Sequence, residues 1–253
     1  MTTLYLIHGM WGHGGLWDGW RAFFEAEGYH CLTPTLRHHD IAPGDAPDPA
    51  LGTTGLLDFA ADLEAEIRDL EEPPVLIGHS LGGLLAQILT ARGLGRKTVL
   101  LTPAAPAGVM TLRWSVLRAF ASCLIRWGFW RKPHLATFNE IAYSTLNLMP
   151  KDEQWAVYRT FVPESGRVIF ESGLWLLDRK RAAAVDETRV KNPVLVVAGA
   201  RDRIVPPAVV TKVAEKYRAV ADLKVFDDQA HWVLGQPGWE AVAAYVKDWI
   251  ARD

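Results

Sequence analysis

Residues 73–84 read Pro73-Pro74-Val75-Leu76-Ile77-Gly78-His79-Ser80-Leu81-Gly82-Gly83-Leu84. The short apolar run Val75–His79 gives way within one residue to a helical pattern, which predicts a strand, a sharp turn and a helix. A side chain at the apex of such a turn can stand clear of the sheet only if its neighbours two positions away are small. Gly78 and Gly82 supply that room. Ser80 occupies the apex. The helix starting behind it offers unpaired backbone N–H groups and the positive end of its dipole. Ser80 is therefore the candidate nucleophile, and the N–H of Leu81 a candidate donor to developing negative charge.

Five more apolar runs flank this stretch: Thr3–His8, His30–Pro34, Thr98–Thr102, Val194–Ala198 and Leu223–Phe226. Near-continuous apolar character predicts strands covered on both faces. Amphipathic helical patterns fill the gaps at Gly19–Glu27, Leu56–Leu70, Leu84–Ala91, Pro207–Tyr217 and Glu240–Arg252. In the second of these, Leu57, Ala60, Ala61 and Glu64 begin the inward stripe, with Asp58, Asp62 and Glu66 turned outward. Strands alternating with helices predict the α/β class, with a doubly wound, mainly parallel sheet. Two segments break the alternation. Residues 36–55, rich in Gly, Pro and Asp, read as a long loop. Residues 105–190 hold five tryptophans (Trp114, Trp127, Trp130, Trp155, Trp175) and helical patterns without a buried-strand run, Val168–Phe170 being ambiguous. They predict a helical cap inserted into a core made of residues 1–104 and 191–253.

The chain has 253 residues and a formal net charge of −2. That is one large domain, or a core with a small subdomain, and no basic excess for nucleic acid. Two cysteines, Cys31 and Cys123, read as free thiols of a reducing compartment. Without a signal-peptide pattern or a spanning apolar stretch, a cytoplasmic protein is expected. His38, His39, Asp40, Asp45 and Asp48 match no metal-ligand spacing and read as a solvated loop. No cofactor and no metal are expected.

A serine hydroxyl needs a base. Of eight histidines, only His231 follows the fifth strand, in Asp227-Asp228-Gln229-Ala230-His231-Trp232 just after the sixth. Loops at the carboxyl ends of parallel strands converge, which brings His231 toward Ser80. The base in turn needs a carboxylate. Asp202, in the loop after Val194–Ala198, is the first choice, with Asp227 and Asp228 as competitors close to His231 in sequence. A second oxyanion donor is expected from the loop His8-Gly9-Met10-Trp11-Gly12-His13-Gly14-Gly15, at the N–H of Met10.

Together these residues resemble the α/β-hydrolase superfamily. Ser80, Asp202 and His231 follow that family's order; His8-Gly9 is similar to its His-Gly motif, Gly78–Gly83 to its nucleophile elbow and Gly199–Pro206 to its acid loop. A chain starting at the His-Gly strand implies a minimal six-stranded sheet, similar to the small plant-esterase and hydroxynitrile-lyase branch, as do Trp17 and Trp20. The Asp-containing, Gly-rich stretch common after the next strand is replaced by Pro34-Thr35-Leu36-Arg37-His38-His39-Asp40. A serine at the elbow argues against dehalogenase and epoxide-hydrolase chemistry. The resemblance implies a serine carboxylesterase working through an acyl-enzyme. A cyanohydrin lyase, needing a cationic group, such as Lys151 or Lys180, or a hydroxyl-bearing group in the pocket, and a non-catalytic small-molecule receptor are the alternatives. Trp11, His79, Val205 and Trp232, with Met10 and Leu81, are the expected pocket walls. The expected substrate is a small ester with an apolar moiety. Segment Leu112–Lys132 mixes aromatic and basic residues and is expected to pack its apolar face over the pocket, a lipid-touching helix being the alternative.

Overall fold

The computed structural model describes residues 1–110 and 113–252. Its strands are β1 (Thr3–Ile7), β2 (His30–Leu32), β3 (Val75–His79), β4 (Lys97–Leu101), β5 (Pro133–His134), β6 (Glu164–Ser165), β7 (Val194–Gly199) and β8 (Ala221–Phe226). Six of them form one sheet in the order β2-β1-β3-β4-β7-β8, parallel throughout. The helices are α1 (Asp18–Ala26), α2 (Leu56–Arg68), α3 (Leu81–Ala91), α4 (Trp114–Ala119), α5 (Ala121–Leu124), α6 (Phe138–Tyr143), α7 (Lys151–Tyr158), α8 (Gly166–Gly173), α9 (Pro207–Lys216) and α10 (Trp239–Ile250).

Strand side chains alternate between two cores. Leu4, Leu6, Ile77, Val99 and Val197 pack with Trp20 and Phe24 of α1 and with Val242 and Val246 of α10. Tyr5, Ile7, Leu76, Leu100 and Val196 pack with Phe59 and Leu63 of α2, Leu84 of α3 and Val213 of α9. Period-two alternation inside runs that are apolar throughout is what a sheet covered on both faces requires. Every residue of α3 is buried, so the helix carrying the turn at Ser80 is gripped on all sides.

Several expectations need correction. The Leu223–Phe226 run lies in β8, an edge strand bonded to β7 alone, and Leu223 and Val225 are exposed. The buried stripe of α2 is Leu56, Phe59, Ala60, Leu63 and Ile67; Leu57 is exposed, because the helix is turned by one position relative to the sequence reading. Residues 36–55 are not a solvated loop throughout. Leu36 and Leu51 enter the core, and His39 is fully buried against Phe59, 3.4 Å from the equally buried Glu164. The tertiary fold supplies an anionic partner that local composition cannot reveal. His38 pairs instead with Asp48.

Residues between β4 and β7 are helical, as expected, except that β5 and β6 form a two-residue antiparallel pair. Val168–Phe170 belongs to α8. Leu112, the first residue of the segment read as Leu112–Lys132, lies outside the described residues. Glu140 knits this region together by accepting from the N–H and Oγ of Ser122 and the N–H and Oγ1 of Thr137. Glu171 accepts from the N–H of Leu56 and so ties α8 to the start of α2. Both cysteines are buried free thiols.

Candidate active site

The turn after β3 is built as the glycines imply. Ser80 has φ 53° and ψ −116°, a backbone conformation that L side chains avoid and that costs about 1–3 kcal/mol. A Cβ on Gly78 would lie 2.2 Å from the carbonyl oxygen of Gly82, and one on Gly82 would lie 2.1 Å from that of Ile7. Neither partner can give way, since both are backbone. Trp11 and Thr102, after β1 and β4, also have positive φ, so backbone strain gathers at the carboxyl edge of the sheet.

Ser80, His231 and Asp202 meet there. Ser80 Oγ lies 2.9 Å from His231 Nε2, and His231 Nδ1 lies 2.7 Å from Asp202 Oδ2. The other carboxylate oxygen of Asp202 accepts from the N–H groups of Ile204 and Val205, both at 2.8 Å. All three side chains are buried. Asp227 and Asp228 are exposed, and it is Asp202 that lies beside the His231 ring.

Two further histidines brace this arrangement. His79 Nε2–H donates to the carbonyl of His231 at 2.8 Å, and Thr102 Oγ1 donates to the same oxygen. His8 Nε2 accepts from the N–H of Leu36 at 3.1 Å, which leaves its Nδ1–H to donate to the Gly9 carbonyl. Burial, with His231 nearby, drives His79 down to about 3; burial, with the ring of His39 nearby, does the same for His8. Both rings are therefore neutral, with one nitrogen donating and, in His8, the other accepting.

The loop after β1 passes directly over the turn. A Cβ on Gly9 would sit 3.0 Å from Ser80 Cβ and 3.2 Å from the His79 carbonyl oxygen. Among the described residues the N–H groups of Met10 and Leu81 have no protein acceptor. Trp11 locks the loop from above: its Nε1–H donates to the His134 carbonyl and its own carbonyl accepts from Val162.

Ser80 stands between two pockets. The larger, of about 120 Å³, is lined by Met10, Ala104, Val116, Leu117, Phe120, Leu124, Ile169, Leu174, Ile204 and Val205. The smaller is lined by Gly9, Trp11, Leu16, His79, Thr145, Phe161, His231 and Trp232. Of the expected wall residues, Met10, Trp11, His79, Val205 and Trp232 line one or the other; Leu81 lines neither, because its side chain is buried in the core. Thr145 was not expected; its buried Oγ1 has no hydrogen-bond partner among the described residues. Phe120, Ile169 and Leu174 were also missed, although Leu117, Phe120 and Leu124 recur at helical spacing and carried a readable signal. The five tryptophans of residues 105–190 line neither pocket, and Trp114 and Trp127 face outward, contrary to a fully inward-packed apolar face. Lys151 and Lys180 are exposed and outside both linings. Among the described residues no group of three or more His, Cys, Asp or Glu is arranged to hold a metal.

A model of the alpha/beta hydrolase family matches residues 4–244. The chain belongs to the alpha/beta hydrolase family. Protein ABHD8 of Bos taurus is 27% identical over 243 residues, covering 92% of this chain and 52% of its own length. The chain thus spans about half the length of the curated relatives it matches. Among solved structures, the methylesterase MES16 from Arabidopsis superposes with a TM-score of 0.74 at 14% identity, covering 99% of each chain. A pyrethroid hydrolase from Sphingobium faniae gives 0.73 at 20% identity, covering 98% of this chain and 96% of its own. These likenesses are of fold. No described helix is long and apolar enough to cross a membrane.

Proposed function

We propose that this family member is a serine carboxylesterase that cleaves apolar esters through an acyl-enzyme. The reading rests on one observation: the continuous chain Ser80 Oγ–His231 Nε2 at 2.9 Å and His231 Nδ1–Asp202 Oδ2 at 2.7 Å, buried at the sheet's carboxyl edge.

Ser80 Oγ attacks the ester carbonyl while His231 Nε2 takes its proton. Asp202 holds the imidazole through Nδ1–H and stabilises the imidazolium; its own position is held by the N–H groups of Ile204 and Val205. Charge gathering on the carbonyl oxygen is met by the N–H groups of Met10 and Leu81, each worth about 3 kcal/mol in the transition state. His231 then protonates the departing alcohol. Because His231 lines the smaller pocket and not the larger, the alcohol leaves on that side and the apolar acyl chain occupies the larger one. Water entering the vacated side gives its proton to His231 and attacks the acyl carbonyl, releasing the acid and restoring Ser80.

Residues 105–190 act as a cap over a core of residues 1–104 and 191–253, and acyl preference resides in the cap side chains that line the larger pocket. Two similar structures carry the names methylesterase and pyrethroid hydrolase, which agrees with ester chemistry here. Among the described residues no Lys or Arg lines either pocket, whereas the hydroxyl-bearing Thr145 and Ser172 do; a cyanohydrin lyase calls for either kind of group, and cyanide release from mandelonitrile separates it from the esterase. A cytoplasmic setting fits the same reading.

The test is turnover of a chain-length series of p-nitrophenyl esters by wild type and Ser80→Ala. Loss of at least about 10⁴-fold in kcat, with an unchanged circular-dichroism spectrum, is expected. Retained turnover in the folded variant would sink the assignment.

A further inference from the structure

Close in the chain to residues that line the larger pocket, big apolar side chains are exposed to solvent. Trp114, Ile125 and Trp127 are 78%, 84% and 85% exposed, and Leu176 and Leu177 are 69% and 67% exposed. Single exposed apolar residues are ordinary, but a group of them marks an interaction surface. These are grouped by the fold. Leu117 and Leu124 of α4–α5 and Leu174 beyond α8 line the pocket from its two sides, and the exposed residues continue from those same two segments. Leu117 and Leu124 do both, lining the pocket while remaining more than a third exposed.

The charge on the α4–α5 side has one sign. Residues 73–139 contain no Asp or Glu. Arg113, Arg118, Arg126, Arg131 and Lys132 are all exposed, and among the described residues none forms an ion pair. Glu140 of α6 and Glu171 of α8 are buried and turned to backbone and side-chain donors, so neither offsets this charge at the surface. Indole rings mixed with Arg and Lys are the composition that settles at the boundary between lipid headgroups and acyl chains. A second copy of the chain is the weaker occupant, because a two-fold contact would press like charges together.

We propose that the rim formed by α4, α5 and the segment after α8 docks the protein on an anionic lipid surface, with the mouth of the larger pocket facing the bilayer. Docking stands on exposure and charge alone; only the further consequence, that apolar acyl substrates enter from the bilayer, rests on the esterase reading.

Flotation with vesicles tests docking without turnover. Wild type is expected to float with phosphatidylcholine vesicles containing phosphatidylglycerol and far less with phosphatidylcholine alone, each basic residue at the surface contributing about fivefold. Added salt should weaken the binding. The double variant Ile125→Ser with Trp127→Ser should lower the bound fraction at least about tenfold, while turnover of a water-soluble acetate ester, which neither residue touches, stays unchanged. Arg113→Glu with Arg131→Glu provides a second, purely electrostatic test and should abolish the preference for phosphatidylglycerol. Failure of wild type to float with either vesicle overturns the proposal. So does equal flotation by both variants, or a concentration-dependent dimer that the double variant dissolves, which would show a second copy on this face.

Discussion

Two regions meet at Ser80 and treat solvent in opposite ways. At the carboxyl edge of the sheet, polar groups are buried and partnered. His79, Thr102 and His231 converge on one another, Asp202 is held by two N–H groups, and His8 spans two loops. Across the pocket, α4 and α5 run for six and four residues, too short to stand without tertiary support, and hold apolar side chains out in water. Their described side-chain hydrogen bonds to the rest run through Ser122, to Glu140 and His134, and Arg118 lies over the Tyr143 ring at 3.8 Å. The contrast fits the two tasks proposed for these regions. Chemistry requires groups that do not reorganise, so the edge is over-determined by packing and hydrogen bonds. A surface that meets an outside phase must leave apolar area uncovered.

The contrast can be broken by experiment. The largest effect should come from Asp202→Asn, which offers His231 the wrong partner and is expected to lower kcat about 10⁴-fold in a folded protein. Asp228→Asn, on an exposed side chain, should leave kcat within about twofold. Equal effects from the two would mean that Asp202 is not the proposed partner. Gly82→Ala forces a Cβ to 2.1 Å from the Ile7 carbonyl oxygen. Denaturant unfolding should show a loss of about 3 kcal/mol or more, or no soluble protein.

Acid should act through the buried histidines. His8 and His79 are held near 3 when folded, against an ordinary value of 6.5. Below 6.5 the unfolded chain binds protons that these folded rings refuse. Stability therefore falls as pH drops from about 6.5 toward about 3, by about 1.4 kcal/mol per pH unit for each ring. His39 runs the other way: burial opposes its charge, but Glu164 outweighs it and raises its pKa. Its contribution is complete below the unfolded value and is lost as pH rises through the folded one. Unfolding midpoints that stay flat across the acid range would contradict the burial of neutral His8 and His79. The smallest effect belongs to the rim: Ile125→Ser should change stability by less than about 0.5 kcal/mol, because the side chain gives up little contact.

Much of this was legible in the sequence. Val75–His79 as a strand, the turn at Ser80 and helices at every expected site follow from side-chain periodicity and from glycines that only one backbone geometry requires. The order of Ser80, Asp202 and His231 pointed to three loops that the fold brings together. What was misread depended on neighbours distant in the chain. His39 looked solvated because Glu164 lies more than a hundred residues away. Leu223 and Val225 looked buried because nothing in an apolar run says that no strand will pair beyond it.

Local sequence determined local geometry: where the chain extends, where it coils, and that a serine with φ 53° could be held at the tip of β3. Only the tertiary structure decided which of three aspartates faces His231 and that His231 reaches across 151 positions to Ser80. It alone decided, too, that Trp114 and Trp127 look outward while Phe120 looks in. Backbone preference is settled over a few residues by sterics and turn chemistry. Partnership and burial are settled by which segments pack together, and that packing minimises exposed apolar area and unpaired polar groups over the whole chain at once.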